Sequence, residues 1–175
     1  MVKLRKGVAY RSIQNAYTRK SKYRKKAFIR SIPTNKVVKF EMGDLNTVFP
    51  CQILLRSKQD VQLRHNCLES ARKTALKLPE NELGKVNFKL KVRVYPHQIL
   101  RENALASGAG ADRMSTGMKM AFGKAVGITA RVFKNKAVME LNINEEHKEI
   151  GVNCLKRAYK KLPGSYYIEE AVKQE

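Results

Sequence analysis

Apolar and polar residues alternate most regularly between Lys85 and Tyr95. Val86, Phe88, Leu90, Val92 and Val94 fall on one side of an extended backbone. Lys85, Asn87, Lys89, Lys91, Arg93 and Tyr95 fall on the other. Residues two apart share a face of a strand, so the pattern predicts a one-sided strand with a strongly basic outer face. Val38, Phe40 and Met42, alternating with Val37, Lys39 and Glu41, predict an earlier strand closed by a turn at Gly43-Asp44. Phe49, Cys51, Ile53 and Leu55 predict another, and Pro50 within it suggests a sheet edge, where a missing N–H is tolerated. Ile128, Ala130 and Val132, a tight turn at Lys134-Asn135-Lys136, and then Ala137, Met139, Leu141 and Ile143 read as a hairpin. Tyr166, Ile168 and Val172 suggest a last strand.

Two stretches carry the helical period instead. Val61, Cys67, Leu68, Ala71, Ala75 and Leu78 form one stripe, behind Ser57 and Asp60 at capping-box spacing and ahead of Pro79 as a stop. Ile150, Cys154, Ala158 and Leu162 form a second stripe. Asn144 stands at its N-cap, Glu145 and Glu146 in its first turn, Lys160 and Lys161 near its end, and Pro163-Gly164 beyond it. Two helices over a mostly antiparallel sheet make an α+β two-layer sandwich, expected as a single domain over residues 32–175.

Two regions do not fit either period. Residues 1–31 hold eleven cations and no acid: Lys3, Arg5, Lys6, Arg11, Arg19, Lys20, Lys22, Arg24, Lys25, Lys26 and Arg30. No apolar period persists there, so the segment is expected to be largely disordered in isolation. Tyr10, Tyr17, Tyr23 and Phe28 are interleaved, and aromatics among cations suit phosphate pairing with base or sugar stacking better than a merely solvated tail. The other region is the long loop expected over 101–127, whose centre reads ALASGAGADRMSTGMKMAFGKAVG. It holds Gly108, Gly110, Gly117, Gly123 and Gly127, half of the chain's ten glycines, together with Arg113, Lys119 and Lys124. Interior glycines disfavour a helix by about 1 kcal/mol each against alanine. Long structureless loops in compact domains are usually functional. Met114, Met118 and Met120 then read as adaptable apolar contacts on a loop that orders on binding.

Charge turns this pattern into a functional expectation. The 175 residues carry 36 Lys and Arg against 15 Asp and Glu, a formal net charge of +21. That excess opposes compaction unless a polyanion neutralises it, with nucleic acid the first candidate and an anionic membrane surface the second. No apolar run is long enough for a transmembrane helix, and MVKLRKGVAY lacks the apolar stretch of a signal peptide. The basic runs lie outside the periodic helices, against a membrane-surface helix. Cys51, Cys67 and Cys154, odd in number and widely spaced, point to reduced, buried thiols in a cytosolic protein.

Candidate chemistry is sparse. Gly117 to Lys124 approaches a phosphate-binding loop, but five residues separate Gly117 from Gly123-Lys124 and Ala125 replaces the magnesium-holding hydroxyl. GAGADR, residues 108–113, lacks the third glycine of a dinucleotide fingerprint. His65 and Cys67, two apart on a helix, point away from each other and cannot share a metal unaided. His147 and Cys154 read as packing positions. His97, after Pro96, reads equally as an RNA contact or as a loop histidine satisfied by backbone. No catalytic set clusters, so no enzyme activity, cofactor, metal or small-molecule substrate is expected.

SGAGADRMSTGMKMAFGKAVG resembles the signature loop of a universal large-subunit ribosomal protein family, called sixteen in bacteria and ten-e in archaea and eukaryotes. FIRSIPTNKVVKFEMGD (28–44) and LESARKTALKL (68–78) resemble the archaeal and eukaryotic branch. The element order from KLKVRVYP to LKRAYKKLPGSYYI is similar to the bacterial branch as well. The length and the lack of a long C-terminal extension look archaeal. The resemblance covers nearly the whole chain. It implies a sandwich bound to large-subunit rRNA near the base of the central protuberance, among neighbouring ribosomal proteins in the cytoplasm. It also implies an arm reaching toward the tRNA acceptor stems and the peptidyl-transferase centre, with Gly108, Gly110, Arg113, Gly117, Lys119, Gly123 and Lys124 as its positions. Charge alone adds the tail cations and, on the sheet face, Lys85, Lys89, Lys91 and Arg93 as RNA contacts. The alternative is an RNA-modifying or RNA-chaperoning factor with a basic face.

Overall fold

A computed structural model describes residues 7–13, 23, 25, 29, 31–103, 108–114, 118 and 122–172. Eight strands, β1 (Glu41–Gly43), β2 (Cys51–Ser57), β3 (Val61–Arg64), β4 (Phe88–Val92), β5 (Gln98–Glu102), β6 (Lys124–Val132), β7 (Ala137–Ile143) and β8 (Tyr166–Val172), form two sheets. One has five strands in the order β1-β4-β7-β2-β8, the other three in the order β3-β6-β5. Every pairing is antiparallel. Helices α1 (His65–Glu82) and α3 (Lys148–Tyr159) pack together, and α2 (Ala111–Met114) is a single turn. The architecture is α+β, with two antiparallel sheets where the sequence pattern suggested one.

The main core lies between the five-stranded sheet and the two long helices. Ile53 and Leu55 of β2, Phe88 and Leu90 of β4, and Met139, Leu141 and Ile143 of β7 are fully buried against Leu68, Ala71 and Ala75 of α1 and Cys154, Leu155 and Ala158 of α3. Gly151 lets α3 sit close to the sheet: a Cβ there would stand 2.6 Å from Ile143 Cδ1 and 2.7 Å from Ile53 Cδ1. The strand expected over 85–95 has the anticipated facing. Phe88, Leu90, Val92 and Val94 are buried, while Val86 lies ahead of the ladder and is exposed.

The structure corrects several expectations. The hairpin over 128–143 does not form, because β6 pairs with β3 and β5 whereas β7 pairs with β4 and β2. The intervening turn carries the chain between sheets. Asn135 takes φ 65°, and Asn135 N and Lys136 O bond the end of β2 at Ser57. Alternation fixes which face a residue takes, not which strand lies beside it. Pro50 does not mark an edge: β2 is interior, and Pro50 precedes its first paired residue, Cys51, so no ladder N–H is lost. Ahead of β1 the inward residue is Val37 rather than Val38, since Asn35 Oδ1 accepts the Val37 N–H at 3.0 Å in a turn that resets the facing. Ser57 and Asp60 cap no helix. Ser57 Oγ donates to the Gln59 carbonyl at 2.6 Å, Asp60 Oδ1 accepts Lys134 N–H at 2.8 Å, and Val61 belongs to β3.

Pro79 also fails to stop α1, which continues to Glu82. A proline inside a helix leaves the carbonyl four residues earlier without its donor. Here that carbonyl is Ala75 O, and the Cys154 thiol of α3 donates to it at 3.0 Å. Burial pushes the Cys154 thiol up to about 12, so it stays protonated and able to donate. Cys51 is likewise buried, Cys67 is half-buried, and all three cysteines are free thiols.

Candidate nucleic-acid interface

The outer face of the five-stranded sheet is mixed rather than uniformly basic. Lys91 Nζ lies 2.5 Å from Glu41 Oε1, its register partner across β1–β4. That ammonium holds the Glu41 carboxyl below its ordinary value. Arg93 donates to Glu140 Oε2 at 2.9 Å, and Glu140 also accepts from Gln52. Arg56 pairs with Glu169, and Lys89 Nζ donates to the Leu45 carbonyl at 3.1 Å. Lys85 is set apart, in a groove with Lys39 and Arg72 beside β1. The acids that temper this face, Glu41, Glu140 and Glu169, come from three other strands, and only the strand order brings them to the cations.

Of the tail cations, Arg11 and Lys25 are described and exposed. Lys3, Arg5, Lys6, Arg19, Lys20, Lys22, Arg24, Lys26 and Arg30 lie outside the described residues. Residues 7–13 contact the small sheet. After a 3₁₀ turn over Gly7–Tyr10, Arg11 O accepts Gln62 N–H at 2.7 Å and Tyr10 O accepts Gln62 Nε2–H at 3.2 Å. The Tyr10 hydroxyl donates to Glu102 Oε2 at 3.0 Å, and the Arg64 guanidinium sits 5.4 Å from the Tyr10 ring centroid. Ile29 is buried with Ile99 and Ile128.

The Gly-rich stretch begins and ends in strand. Arg101 and Glu102 belong to β5, and Lys124 to Gly127 to β6, with Glu102 facing Lys124 in the ladder. The adjacent pair Ile99-Leu100 gave no alternation by which to read β5. Its register with β6 shifts between Leu100 and Arg101, and pairing with β6 defines it. A clasp joins the two ends. Arg101 donates to Phe122 O at 2.7 Å with its guanidinium carbon 3.7 Å from that ring's centroid. Gly123, at φ 81°, lies so close to β5 that a Cβ would stand 2.8 Å from the Glu102 carbonyl carbon. Within the stretch, Gly108 and Gly110 have φ of 120° and 77°, and Ala111–Met114 makes its single turn with Arg113 exposed. Lys124 is exposed, and Gly117 and Lys119 lie outside the described residues.

Between the N-terminal segment, the connector at 33–36 and the small sheet lies a cleft of about 290 Å³. Tyr10, Lys36, Arg64, His65 and Glu102 line it, with Gly127 also on the wall. Arg64 and His65 stand at the junction of β3 and α1, where Arg64 makes no side-chain cap. Burial, then the charges of Lys36 and Arg64, hold the His65 imidazole below its usual value. Lys36, Arg64 and Glu102 did not stand out in the sequence; Tyr10 was legible only as one aromatic among several, His65 only as a histidine unable to share a metal with Cys67, and Gly127 only as one glycine of the Gly-rich stretch. His97 bonds the Tyr95 carbonyl through Nδ1 at 3.0 Å, and so is satisfied by backbone.

Among the described residues no group of three or more His, Cys, Asp or Glu could hold a metal, and no helix is long and apolar enough to cross a membrane. The sequence profile of the family described as "Ribosomal protein L16p/L10e" matches residues 18–169. A large ribosomal subunit protein uL16 of Methanococcus aeolicus is 44% identical over 161 residues, 91% of this chain and 90% of the relative. Its counterpart in Methanococcus maripaludis is 43% identical with the same coverage of both chains. That of Methanocella arvoryzae is 43% identical over 146 residues, 83% of this chain and 85% of the relative. With an α+β core, a clasped Gly-rich stretch and a match over most of its length, the chain belongs to the ribosomal protein L16p/L10e family, the structural, non-enzymatic uL16 proteins of the large ribosomal subunit.

Proposed function

We propose that the chain binds large-subunit rRNA through its cationic N-terminal segment and basic surface, and holds its Gly-rich loop toward the acceptor ends of tRNA near the peptidyl-transferase region. Residues 1–31 act as the RNA-binding tail, and residues 32–175 as the domain that carries the loop. The observation that carries this reading is the clasp at the loop root. Arg101 on Phe122, and Gly123 against Glu102, tie both ends of a glycine-rich, cationic segment to adjacent strands. A loop launched from a fixed base can be aimed. Small residues let its backbone approach RNA closely, and Arg113, Lys119 and Lys124 supply charge for backbone contacts that ignore sequence. Positioning alone matters for the reaction it would serve, since a misplacement of about 1 Å can cost about a hundredfold in rate.

The test is reconstitution of large subunits carrying a short neutral linker in place of residues 109–123. Full occupancy with weakened tRNA binding or slowed peptidyl transfer is the expected result. Wild-type values for both would overturn the reading. For the tail, glutamine at Lys20, Lys22, Lys25 and Lys26 spares residues 7–13 and should flatten the salt dependence of RNA affinity, because each neutralised phosphate steepens that slope.

A further inference from the structure

The cleft beneath Tyr10 gathers like charges from three separate parts of the chain. Lys36 comes from the connector, Arg64 from the end of β3 and His65 from the start of α1, and all three line the same cleft. Glu102, the one carboxylate in the lining, accepts the Tyr10 hydroxyl and faces Lys124 across the ladder. The remaining wall is polar or apolar: Thr34, Asn66, and the Val126–Ile128 segment of β6. The α1 helix is 18 residues long, and its positive end adds to the same potential. Tyr10 supplies an aromatic surface beside the cations, the combination that RNA-binding surfaces use for a nucleotide next to its phosphate.

We propose that this cleft binds one backbone phosphate of an RNA strand, held by Lys36, Arg64 and His65 beside the ring of Tyr10. The proposal rests on the RNA-binding reading above and gives it a defined site. Its consequence is a proton linkage. In the empty cleft, burial and the neighbouring charges of Lys36 and Arg64 oppose protonation of His65. A phosphate offsets the charges of Lys36 and Arg64, so the bound form favours a proton on His65 and affinity for the RNA strand rises as pH falls. Lys36, Arg64, Glu102 and Tyr10 are the ionisable groups that face His65 from the connector, β3, β5 and the N-terminal segment; the β6 wall contributes none. The site also touches the loop root, because Tyr10 bonds Glu102, the last residue of β5.

The experiment follows the imidazole signals of the full chain by NMR during titration with inorganic phosphate and, separately, with an eight-residue oligouridylate. Salt-dependent binding to large-subunit RNA is measured alongside. The expected result is that both probes move His65 and raise its titration midpoint, while His97 and His147, outside the cleft, stay put. The oligonucleotide should bind at least about tenfold more tightly than phosphate, since it adds contacts beyond one charge. Lys36 is exposed, so Lys36→Gln should keep the fold and lower the salt slope for large-subunit RNA by about one. His65→Gln should remove the affinity gain on acidification. An unmoved His65 signal with an unchanged slope for Lys36→Gln would overturn the cleft assignment while leaving RNA binding by the chain intact. A response to phosphate but not to the oligonucleotide would overturn the RNA assignment in favour of a free-phosphate site. Failure of the wild-type chain to bind large-subunit RNA at all would instead overturn the parent reading.

Discussion

The two sheets solve the problem of staying folded in different ways. The five-stranded sheet has a continuous apolar face, two long helices to cover it, and an outer face where Lys91, Arg93 and Arg56 meet Glu41, Glu140 and Glu169. It is nearly self-sufficient. The three-stranded sheet shares Val61, Leu63, Ala130 and Val132 with that core, but toward β5 it rests on a separate cluster of three buried isoleucines, Ile29, Ile99 and Ile128. It is completed by pieces from elsewhere: the 7–13 segment on β3, Phe122 on Arg101, and Ile29 from the N-terminal region. The glycine-rich loop is rooted in this second sheet, between β5 and β6. A scaffold that closes on itself thus carries a second sheet that needs outside pieces to complete it.

The sharpest way to break this comparison is Leu90→Asp. Leu90 is fully buried in the middle of β4, and an unpaired carboxylate there costs several kcal/mol, enough to abolish folding. Lys91→Ala, one residue on, loses only an exposed surface pair and should leave the melting temperature nearly unchanged. Equal melting temperatures for the two would mean that the facing of β4 is reversed. Next come truncations in the two cores. Leu141→Ala should cost about 3–5 kcal/mol by denaturant unfolding, and Ile99→Ala about 2 kcal/mol, at the low end for such changes, because its thin cluster can collapse around the gap. A larger loss at Ile99 would show that the small sheet, not the large one, limits stability.

Cys154→Ala should cost about 1–3 kcal/mol, since it leaves the Ala75 carbonyl without the thiol that replaces the donor missing at Pro79. In a Pro79→Ala background the helix regains its own N–H, so the same substitution should cost measurably less. A double-mutant cycle with zero coupling would refute the exchange of partners. The smallest expected effect is Tyr10→Phe, about 1 kcal/mol at most and confined to the small sheet. Hydrogen exchange should show a loosened Gln62 amide, which bonds Arg11 O, with β7 amides unchanged. Protection that falls equally in both sheets would erase the distinction between them.

The sequence by itself determined what short-range periodicity and charge can encode. The inward residues of β4 and β7, the stripe of α1 from Cys67 onward, that of α3 and the final strand were readable, because a strand or helix repeats its pattern within a few residues; Val61, read as the start of the first stripe, belongs to β3 instead. The glycine-rich and cationic compositions of residues 104–127 and 1–31 were legible because composition needs no partner to be recognised. Tertiary structure decided everything that depends on who lies beside whom. It placed β6 and β7 in different sheets although a tight turn joins them. It allowed α1 to run through Pro79 by bringing a thiol from another helix to the orphaned carbonyl. It set Glu41, Glu140 and Glu169 against the cations of the sheet face, and brought residues 10, 36, 64, 65 and 102 to one cleft. Those contacts join positions up to 113 apart in the chain, as between Arg56 and Glu169. No local pattern can specify them, because their energy exists only once both partners have been brought together.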